Sequence, residues 1–447
     1  MASTFWFGKT VLVAGATGFL GGWLVRRLVE YGAHVVTLVR SNKPESQFFM
    51  RALDNRVSVE WGDVADQRVI ERIFQRHSID VFFHAAYGAD VNRVLDEPLE
   101  CFRSSALSTW RILDFLRKNR PNCISVISST DKVYGRQPIP CREDMGVQPL
   151  HPYETAKASQ DFAAQSYGKI FKCPVAVTRC GNYFGGYDFN FTRLVPGVVR
   201  SIMQGEAPIL RSNGRFTRDF LYIDDAVDVQ LLLAQRLSEN PELYGEAFNF
   251  SYGERLEVRE IVQRICRLLD APFDPVVNEN CIPEIPHIEL SSEKAKQLLD
   301  WKPSHGFARG LERTVRWYRD YFSPESVHVV KYRGAQEEAL PVEDANNAIM
   351  IRNFEGTITS WNEGAAQLYG WAPKEALARQ SHSLLHTIFP QPLQRIEDEL
   401  RRTGHWEGNL EHVRRDGVRV IVRSRWDLRR GQLNSDPTVV EINRLIA

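Results

Sequence analysis

The chain has 447 residues, 43% hydrophobic and 25% charged, a length that predicts two or three domains and a composition typical of soluble globular proteins. Basic and acidic residues balance at 56 each, so the charge does not indicate nucleic acid or an anionic membrane surface as a partner. No apolar run is long enough to span a membrane, and the seven cysteines form no Cys-x-x-Cys pair. We therefore expect a cytoplasmic protein with reduced thiols and no metal site.

The first motif is a glycine-rich loop between a predicted strand at 10–14 and a predicted helix from residue 19. Its glycines permit a tight turn and close approach of a pyrophosphate, whose charge the helix N-terminus stabilises. The spacing Gly-x-x-Gly-x-x-Gly departs from the usual dinucleotide fingerprint, and a purely structural turn is the alternative. The predicted cofactor-binding residues of this loop are Gly15, Thr17, Gly18, Phe19, Leu20 and Gly21.

Three further predicted strands end in residues suited to the parts of a dinucleotide other than its pyrophosphate. Arg40 stands where NAD enzymes usually carry an acid, and its charge favours the 2′-phosphate of NADP, although stacking on adenine or simple exposure are alternatives. Asp63, followed by Val64, is a predicted acceptor for the adenine amine. Ala85 and Ala86 are small enough to leave room for the cofactor.

A fifth predicted strand ends in a cluster of hydroxyl, carboxylate and ammonium groups at Thr130, Asp131 and Lys132. Farther along the chain, Tyr153 and Lys157 are four residues apart, which places both on one face of a helix. An adjacent ammonium lowers the pKa of a phenol, so this pair is a candidate proton acceptor for a sugar or alcohol hydroxyl. The alternatives are a solvent-facing helix surface for the pair and an ion pair with Asp131 for Lys132.

Strands and helices alternate through the first 325 residues, which predicts an α/β fold with a Rossmann-type, doubly wound parallel sheet. We expect a small substrate lobe, mainly at 181–225 and 245–322. The ordered motifs resemble the extended short-chain dehydrogenase/reductase family, in its sugar-nucleotide branch, over residues 8–322. The resemblance rests on Gly15/Gly18/Gly21, Gly62-Asp63, His84-Ala85-Ala86, Thr130/Tyr153/Lys157, the 179–185 and 218–225 stretches, 292–295 and 299–303.

An acid beside the Thr of the triad resembles the 4,6-dehydratases that act on CDP-glucose, GDP-mannose or dTDP-glucose. The resemblance implies that Tyr153, Lys157 and Thr130 oxidise the sugar at C4, that Asp131 protonates the departing 6-hydroxyl and that Lys132 removes the C5 proton. It also implies a nicotinamide cofactor, NAD or NADP, that is regenerated in each turnover. Two departures are Lys132, where dTDP-glucose dehydratases carry Glu, and Ser105, where relatives often carry Asn.

The resemblance implies that Asn182 and Arg218 contact the diphosphate of a nucleotide-sugar substrate, and an arginine fork suits phosphate geometry. Arg193 and Arg215 lie nearby in the sequence and are weaker candidates, since surface arginines are ordinary. A 4-epimerase or ketoreductase on the same fold is an alternative function. The alternative outside enzymology is a signalling protein that senses NAD(P)(H). A homodimer is also expected.

A linker is predicted at 326–340, and the rest of the chain, 341–447, is a different module. Gly356-x-Ile358-x-x-Trp361-Asn362, Tyr369-Gly370-Trp371 and Arg414-Arg415-Asp416-Gly417 resemble a PAS sensor domain of the histidine-kinase type. This implies an α+β domain with an antiparallel sheet, which regulates the enzyme or adds to the dimer. Its ligand is not predicted, although His382 and His386, one helical turn apart, raise haem as one alternative to ordinary surface histidines.

Overall fold

The computed structural model describes residues 2–86, 93–277, 285–323, 348–429 and 438–446. The chain divides into two compact units, Met1–Glu338 and Ala339–Ala447, which are called the N-terminal and C-terminal units below. The predicted linker at 326–340 and Cys281 lie outside the described residues, so the linker stays a prediction.

The described helices are numbered α1 to α17 in chain order. Those of the N-terminal unit are α1 (Ala2–Trp6), α2 (Phe19–Glu30), α3 (Gln47–Met50), α4 (Gln67–Arg76), α5 (Arg93–Asp96), α6 (Pro98–Phe102), α7 (Ser108–Asn119), α8 (Pro152–Phe171), α9 (Leu194–Met203), α10 (Ile223–Glu239), α11 (Val258–Leu268), α12 (Glu293–Leu299) and α13 (Gly306–Phe322). Those of the C-terminal unit are α14 (Glu363–Tyr369), α15 (Pro373–Ala376), α16 (Ser381–Leu384) and α17 (Leu393–Thr403). Short 3₁₀ turns occupy Leu53–Arg56, Asp131–Tyr134 and Pro241–Leu243, and a π-helical turn at Arg103–Leu107 joins α6 to α7.

The strands form one large sheet in each unit and three small pairs in the N-terminal unit. The N-terminal strands are β1 (Thr10–Ala14), β2 (His34–Val39), β3 (Ser58–Trp61), β4 (Val81–His84), β5 (Ile124–Ser128), β6 (Val175–Cys180), β7 (Asn182–Phe184), β8 (Ile209–Leu210), β9 (Thr217–Arg218), β10 (Phe220–Tyr222), β11 (Ala247–Phe250), β12 (Leu256–Glu257) and β13 (Val276–Val277). The C-terminal strands are β14 (Ala348–Asn353), β15 (Ile358–Trp361), β16 (His405–Val413), β17 (Arg419–Arg429) and β18 (Thr438–Leu445).

The large N-terminal sheet has seven strands in the order β11-β6-β5-β4-β1-β2-β3, all parallel. Its strands alternate between two buried cores: Val11 and Val13 of β1 face one, Leu12 and Ala14 the other. Burial on both faces is the property that makes such strands nearly continuous in hydrophobic residues. The prediction of a doubly wound parallel sheet is confirmed.

Strand order reverses between the neighbouring strands β1 and β4. From β1 the chain continues to β2 and β3 on one side, and from β4 it continues to β5, β6 and β11 on the other. Ligands of open α/β sheets bind at such a switch point, outside the carboxyl ends of the strands. The three small pairs are β7–β10, β8–β13 and β9–β12. Strand β11 pairs with β6 in the large sheet, so part of the stretch predicted as substrate lobe belongs to the central sheet.

The C-terminal unit is built on a five-stranded antiparallel sheet in the order β15-β14-β18-β17-β16. Helices α14 to α17 pack with one face of this sheet around a single hydrophobic core. Asn362 caps α14, because its side chain accepts a hydrogen bond of 2.7 Å from the Ala365 N–H. The antiparallel α+β fold is confirmed, and the structure adds β16 and α17, which the motifs did not predict.

In the described part of the chain, none of the helices combines the length and the apolar character needed to cross a membrane. Clusters of three or more His, Cys, Asp or Glu side chains able to hold a metal ion are also absent from it. The six cysteines described are buried and form no disulfide with one another.

Candidate active site

The glycine loop lies at the switch point and is shaped by its lack of side chains. Gly15 has φ +98° and a Cβ added there would lie 2.6 Å from the Ala86 nitrogen and 2.7 Å from the Ala85 carbonyl carbon. A Cβ on Gly21 would overlap the carbonyl oxygen of Gly15. The loop, the first turn of α2 and the end of β4 therefore pack together only because both positions are glycine.

The N-terminus of α2 is open to a ligand, since its N-cap is Gly18 and no side chain caps it. Thr17 is half-buried beside it, while Leu20 is buried in the core and Phe19 lies under the Arg193 guanidinium at 5.9 Å. The uncapped N–H groups and the positive end of the helix are suited to an anion. Together with the close approach at Gly15, this cradle fits the pyrophosphate of a dinucleotide.

The residues predicted for the adenosine end form a charged cluster with two residues that the motifs did not indicate. Asp63 accepts hydrogen bonds from the Ala65 N–H at 2.8 Å and from Arg103 at 2.7 Å, while Val64 is buried. Arg40 is exposed and lies 3.4 Å from Glu100, which also pairs with Arg103. Burial raises the pKa of Asp63, but its hydrogen bonds and both arginines outweigh this and lower it.

The predicted catalytic cluster follows β5, where the chain turns into the 3₁₀ segment Asp131–Tyr134. The Thr130 hydroxyl donates to Asp131 Oδ1 at 2.9 Å and accepts from the Lys132 N–H at 3.3 Å. Asp131 is 2% exposed, and its second oxygen, Oδ2, has no hydrogen-bond partner among the described residues. Burial raises the pKa of this carboxyl, opposed by the charge of Lys132, the Thr130 hydrogen bond and Arg218.

Lys132 is half-buried, and no ion pair between it and Asp131 is present among the described residues. The positive charge of Lys132 nevertheless lowers the pKa of Asp131, so the ammonium lies within electrostatic range of that carboxyl. The ion pair considered as an alternative for Lys132 is therefore not the arrangement found.

Helix α8 carries the Tyr–Lys pair, and a capping box fixes where it begins. His151 Nδ1 accepts from the Tyr153 N–H at 3.2 Å, and Glu154 Oε2 accepts from the His151 N–H at 3.1 Å, with Pro152 at the first helical position. One turn later, the Lys157 ammonium donates to the Ser128 carbonyl of β5 at 2.8 Å and to Gln160 at 3.0 Å. The helix is thereby attached to the strand that precedes Thr130.

The Tyr153 ring packs with Cys101 and Ala156, and its phenol is hydrogen-bonded with Thr130. Burial, and to a smaller extent the charge of Asp131, raise the pKa of this phenol. The Thr130 hydrogen bond and the charge of Arg193 lower it. The net direction is upward, opposite to the expectation from an adjacent ammonium, because burial outweighs the neighbouring charges. Burial also lowers the pKa of Lys157 to about 8.

Two of the four predicted substrate residues lie close to this cluster. Arg193 and Arg218 are close enough to shift the pKa values of Tyr153 and Asp131, respectively. Asn182 donates from its side chain to the Asp219 carbonyl at 3.4 Å. Arg215 is exposed, and its backbone N–H rather than its side chain makes the hydrogen bond seen, to Asn213.

Sequence reasoning missed further residues around the cluster. Gln160 holds Lys157, and its position three residues further along the same helix face was the available signal. The Tyr183 hydroxyl is buried, and burial followed by the neighbouring Cys180 and Tyr153 raises its pKa well above the ordinary value. The Ser105 hydroxyl, already named from the sequence as a departure from the relatives, lies in the π-helical turn and is buried without a partner in the described residues.

The two histidines considered for haem in the C-terminal unit are not equivalent. His382 lies on α16 with its Nε2 buried, whereas His386 follows the end of that helix with φ +44° and is exposed. The prediction that they lie one turn apart on a helix is wrong, because α16 ends at Leu384. The geometry does not place both imidazoles on one face.

A parallel sheet with a glycine cradle at its switch point and a Tyr–Lys pair beside it defines a nicotinamide-dependent, Rossmann-type enzyme fold. Residues 11–250 match the NAD dependent epimerase/dehydratase family, more than half of the chain, and the chain belongs to this family. Residues 346–426 match a PAS domain.

Curated relatives and solved structures agree with this assignment. The chain is 27% identical over 348 residues to a dTDP-glucose 4,6-dehydratase of Escherichia coli, covering 69% of this chain and 93% of the relative. It is 27% identical over 348 residues to the CDP-glucose 4,6-dehydratase of Salmonella typhimurium, covering 74% and 96%. The dTDP-glucose 4,6-dehydratase of Streptomyces venezuelae, solved with NAD bound, superposes with a TM-score of 0.62 at 25% identity, covering 70% and 97%.

Proposed function

We propose that the N-terminal unit is a sugar-nucleotide 4,6-dehydratase that converts an NDP-hexose to its 4-keto-6-deoxy form with a tightly bound, internally recycled nicotinamide cofactor. The observation that carries the proposal is the buried carboxyl of Asp131, joined to Thr130 within the Tyr153–Lys157 cluster. Burial raises its pKa, so it holds a proton more readily than an ordinary Asp. A 4-epimerase expels no hydroxyl group and has no use for such an acid.

Each residue of the cluster takes one proton step. Tyr153 as the phenolate accepts the proton of the sugar 4-hydroxyl, and the hydrogen bond with Thr130 favours that phenolate because it lowers the pKa of the phenol. Lys157, held by Ser128 and Gln160, supplies positive charge beside it. When bound, the nicotinamide supplies a hydride acceptor for C4 and a hydride donor for C6.

The elimination uses the two neighbours on the 3₁₀ turn. The 4-keto group acidifies C5–H, and Lys132 is the proposed base that removes that proton. Asp131 gives its proton to the 6-hydroxyl, which leaves as water. Hydride addition at C6 and return of the proton from Lys132 to C5 complete the product. The proton that Tyr153 took from the 4-hydroxyl passes through the Thr130 hydroxyl, which is hydrogen-bonded with both Tyr153 and Asp131, and restores the Asp131 acid.

The test incubates the purified full chain with dTDP-glucose, CDP-glucose, GDP-mannose and UDP-glucose, and follows the product by mass. Loss of one water from any of them is the expected result, and Asp131→Asn is expected to slow it by roughly 10²- to 10⁴-fold. Asp144→Asn, an exposed surface carboxylate, is the control and keeps the wild-type rate. An isomer of unchanged mass would indicate the epimerase alternative, and no turnover with bound cofactor would indicate the NAD(P)(H)-sensing alternative.

The base assignment is tested separately with Lys132→Ala against Lys118→Ala, an exposed lysine on α7. We expect Lys132→Ala to stop water loss while oxidation at C4 continues, which would appear as accumulating reduced nicotinamide. Full dehydration by Lys132→Ala would remove Lys132 as the base.

The cofactor is proposed to be NAD or NADP, with Arg40 as the residue that favours NADP through the 2′-phosphate. Glu100, at 3.4 Å, competes for the same guanidinium. The preference for NADP over NAD therefore depends on whether Arg40 leaves Glu100 when the cofactor binds.

A homodimer is proposed from large apolar side chains exposed on α7 and α8. Trp110 is 40% exposed, Phe162 52% and Phe171 48%, and the two helices pack side by side. A second copy of the chain is the proposed occupant of this face. Phe162→Glu is expected to produce monomers in light scattering, and an unchanged dimer mass would contradict this interface. The cytoplasmic location stays a prediction.

A further inference from the structure

The core of the C-terminal unit contains polar side chains at positions where strand alternation predicts apolar ones. Along β14, Ala348, Met350 and Arg352 alternate inward, and Arg352 is 1% exposed. Four strands contribute to the same interior. The buried polar residues are Arg352 on β14, His412 on β16, Ser424 on β17, and Glu441 and Asn443 on β18, none more than 1% exposed.

These side chains form one connected cluster. Arg352 lies 3.3 Å from Glu441, which also accepts a hydrogen bond from Asn443 at 3.2 Å. The Arg352 guanidinium lies over the Trp426 ring at 4.3 Å, and the His382 ring stacks on the same indole with centroids 5.5 Å apart.

His412 closes the cluster on the side of α14, where its Nδ1 lies 2.8 Å from the Tyr369 hydroxyl. Burial lowers the pKa of His382 to about 3, and Arg352 and His412 both lie near enough to add to this shift. The charge of Arg352 and the imidazole of His412 therefore both act on His382.

Several atoms of this cluster lack hydrogen-bond partners in the described structure: Arg352 Nη2, His412 Nε2, Asn443 Oδ1, His382 Nε2 and Ser381 Oγ. Buried polar groups are paired in the great majority of cases, and an unpaired one costs about 1–3 kcal/mol. Five such atoms belong to this one cluster, and a bound molecule with matching donors and acceptors would pair them.

We propose that this cluster binds a small anionic molecule carrying a carboxylate or phosphate group together with a hydroxyl group. Arg352 Nη2 supplies a charged donor of the kind that recognises carboxylate and phosphate oxygens. With the Tyr369 hydroxyl donating to Nδ1, His412 Nε2 carries a hydrogen and is a second donor. Asn443 Oδ1 is an acceptor for the hydroxyl of the ligand, and the Trp426 face lines one side.

Charge within the cluster is compatible with an anion. Burial raises the pKa of Glu441, opposed first by Arg352. Glu441 therefore takes up a proton more easily than an exposed Glu. When it does, the charge of Arg352 is left for the ligand to balance.

The test titrates L-malate and inorganic phosphate separately into the full chain and measures heat by calorimetry. We expect saturable binding of one equivalent per chain for one probe, and the probe that binds distinguishes a hydroxycarboxylate from a free phosphate. Because arginines of the N-terminal unit also attract anions, only the binding lost in a C-terminal variant counts.

The decisive variant is Arg352→Met/Glu441→Met, which replaces a buried ion pair by apolar side chains and is expected to fold. It should weaken binding by roughly tenfold to a hundredfold, as expected for a lost charged hydrogen bond. The matched control is Arg423→Met/Glu407→Met, an exposed pair on the same sheet, which should bind like wild type. Saturation by neither probe, or equal binding by the decisive variant, would overturn the proposal, and neither outcome depends on dehydratase activity.

Discussion

The two units both bury charged groups, but they do so in opposite ways. In the N-terminal unit, Thr130, Asp131, Tyr153 and Lys157 lie at the ends of a strand and a helix, in two short stretches of sequence. In the C-terminal unit, Arg352, His412 and Glu441 come from three strands spread over 90 residues. A site at strand ends can be recognised from short sequence motifs. A site inside an antiparallel sheet can be recognised only from single polar residues at strand positions where the alternating pattern predicts apolar ones.

The largest contrast is expected between two buried tyrosines. Tyr153→Phe keeps the ring that packs with Cys101 and Ala156 but removes the proton acceptor, so kcat should fall by roughly 10²- to 10⁴-fold. Tyr134→Phe is the control: its hydroxyl bonds Arg179 and Asn249, each at 2.8 Å. That variant should lose about 1–3 kcal/mol of stability and keep its kcat. Equal kcat losses in steady-state assays would contradict the assignment.

The second prediction concerns the buried ion pair of the C-terminal unit. Glu441→Leu leaves Arg352 charged in the core and should cost about 3–5 kcal/mol in urea unfolding. Glu407→Leu, which removes one partner of an exposed pair, should cost about 1 kcal/mol or less. If Arg352→Met does not restore the stability lost in Glu441→Leu, the charge is not the cause.

The third prediction is a pH dependence that belongs to the C-terminal core. Burial lowers the pKa of His412 from 6.5 to about 3. Between pH 3 and pH 6.5 this imidazole therefore binds a proton in the unfolded chain but not in the folded chain. Stability must then fall as the pH drops below about 6.5, by about 2 kcal/mol from this residue between pH 7 and pH 5. His412→Gln should remove that share, whereas His405→Gln, at an exposed position on the same strand, should not. Parallel stability–pH curves for wild type and His412→Gln would exclude it.

The smallest effect is expected at the adenosine end. Glu100→Gln frees Arg40 from an exposed pair at 3.4 Å, so the Kd for NADP relative to the Kd for NAD, measured on the cofactor-free chain, should fall by about threefold to fivefold. Glu30→Gln removes an exposed helix-surface partner elsewhere and should leave the ratio unchanged. A ratio that does not move in Glu100→Gln would mean that Arg40 does not reach the 2′-phosphate.

The sequence was most informative where backbone geometry demands particular residues. Gly15 and Gly21 are required by contacts closer than a side chain permits, and the Tyr153–Lys157 spacing follows directly from the helix. The parallel sheet follows from alternating strands and helices. These features depend on neighbours in the chain, which is why motifs carry them.

What could not be predicted depends on contacts between distant segments. Arg103 reaches Asp63 across 40 positions, and the upward shift in the pKa of Tyr153 results from burial that periodicity cannot quantify. The C-terminal polar cluster needed the register of β14 against β18 before Arg352 and Glu441 could be seen on one face. The available signal was a polar residue at an inward position of each strand.

The π-helical turn at Arg103–Leu107 determines how α6 is rotated relative to α7. Helices α6 and α7 run on through it without leaving the right-handed region, and a π turn amounts to one residue inserted into an α-helix. Deleting Ala106 would turn everything before it by about 100° relative to α7. Arg103 would then leave Asp63, so this salt bridge depends on the one extra residue of the π turn.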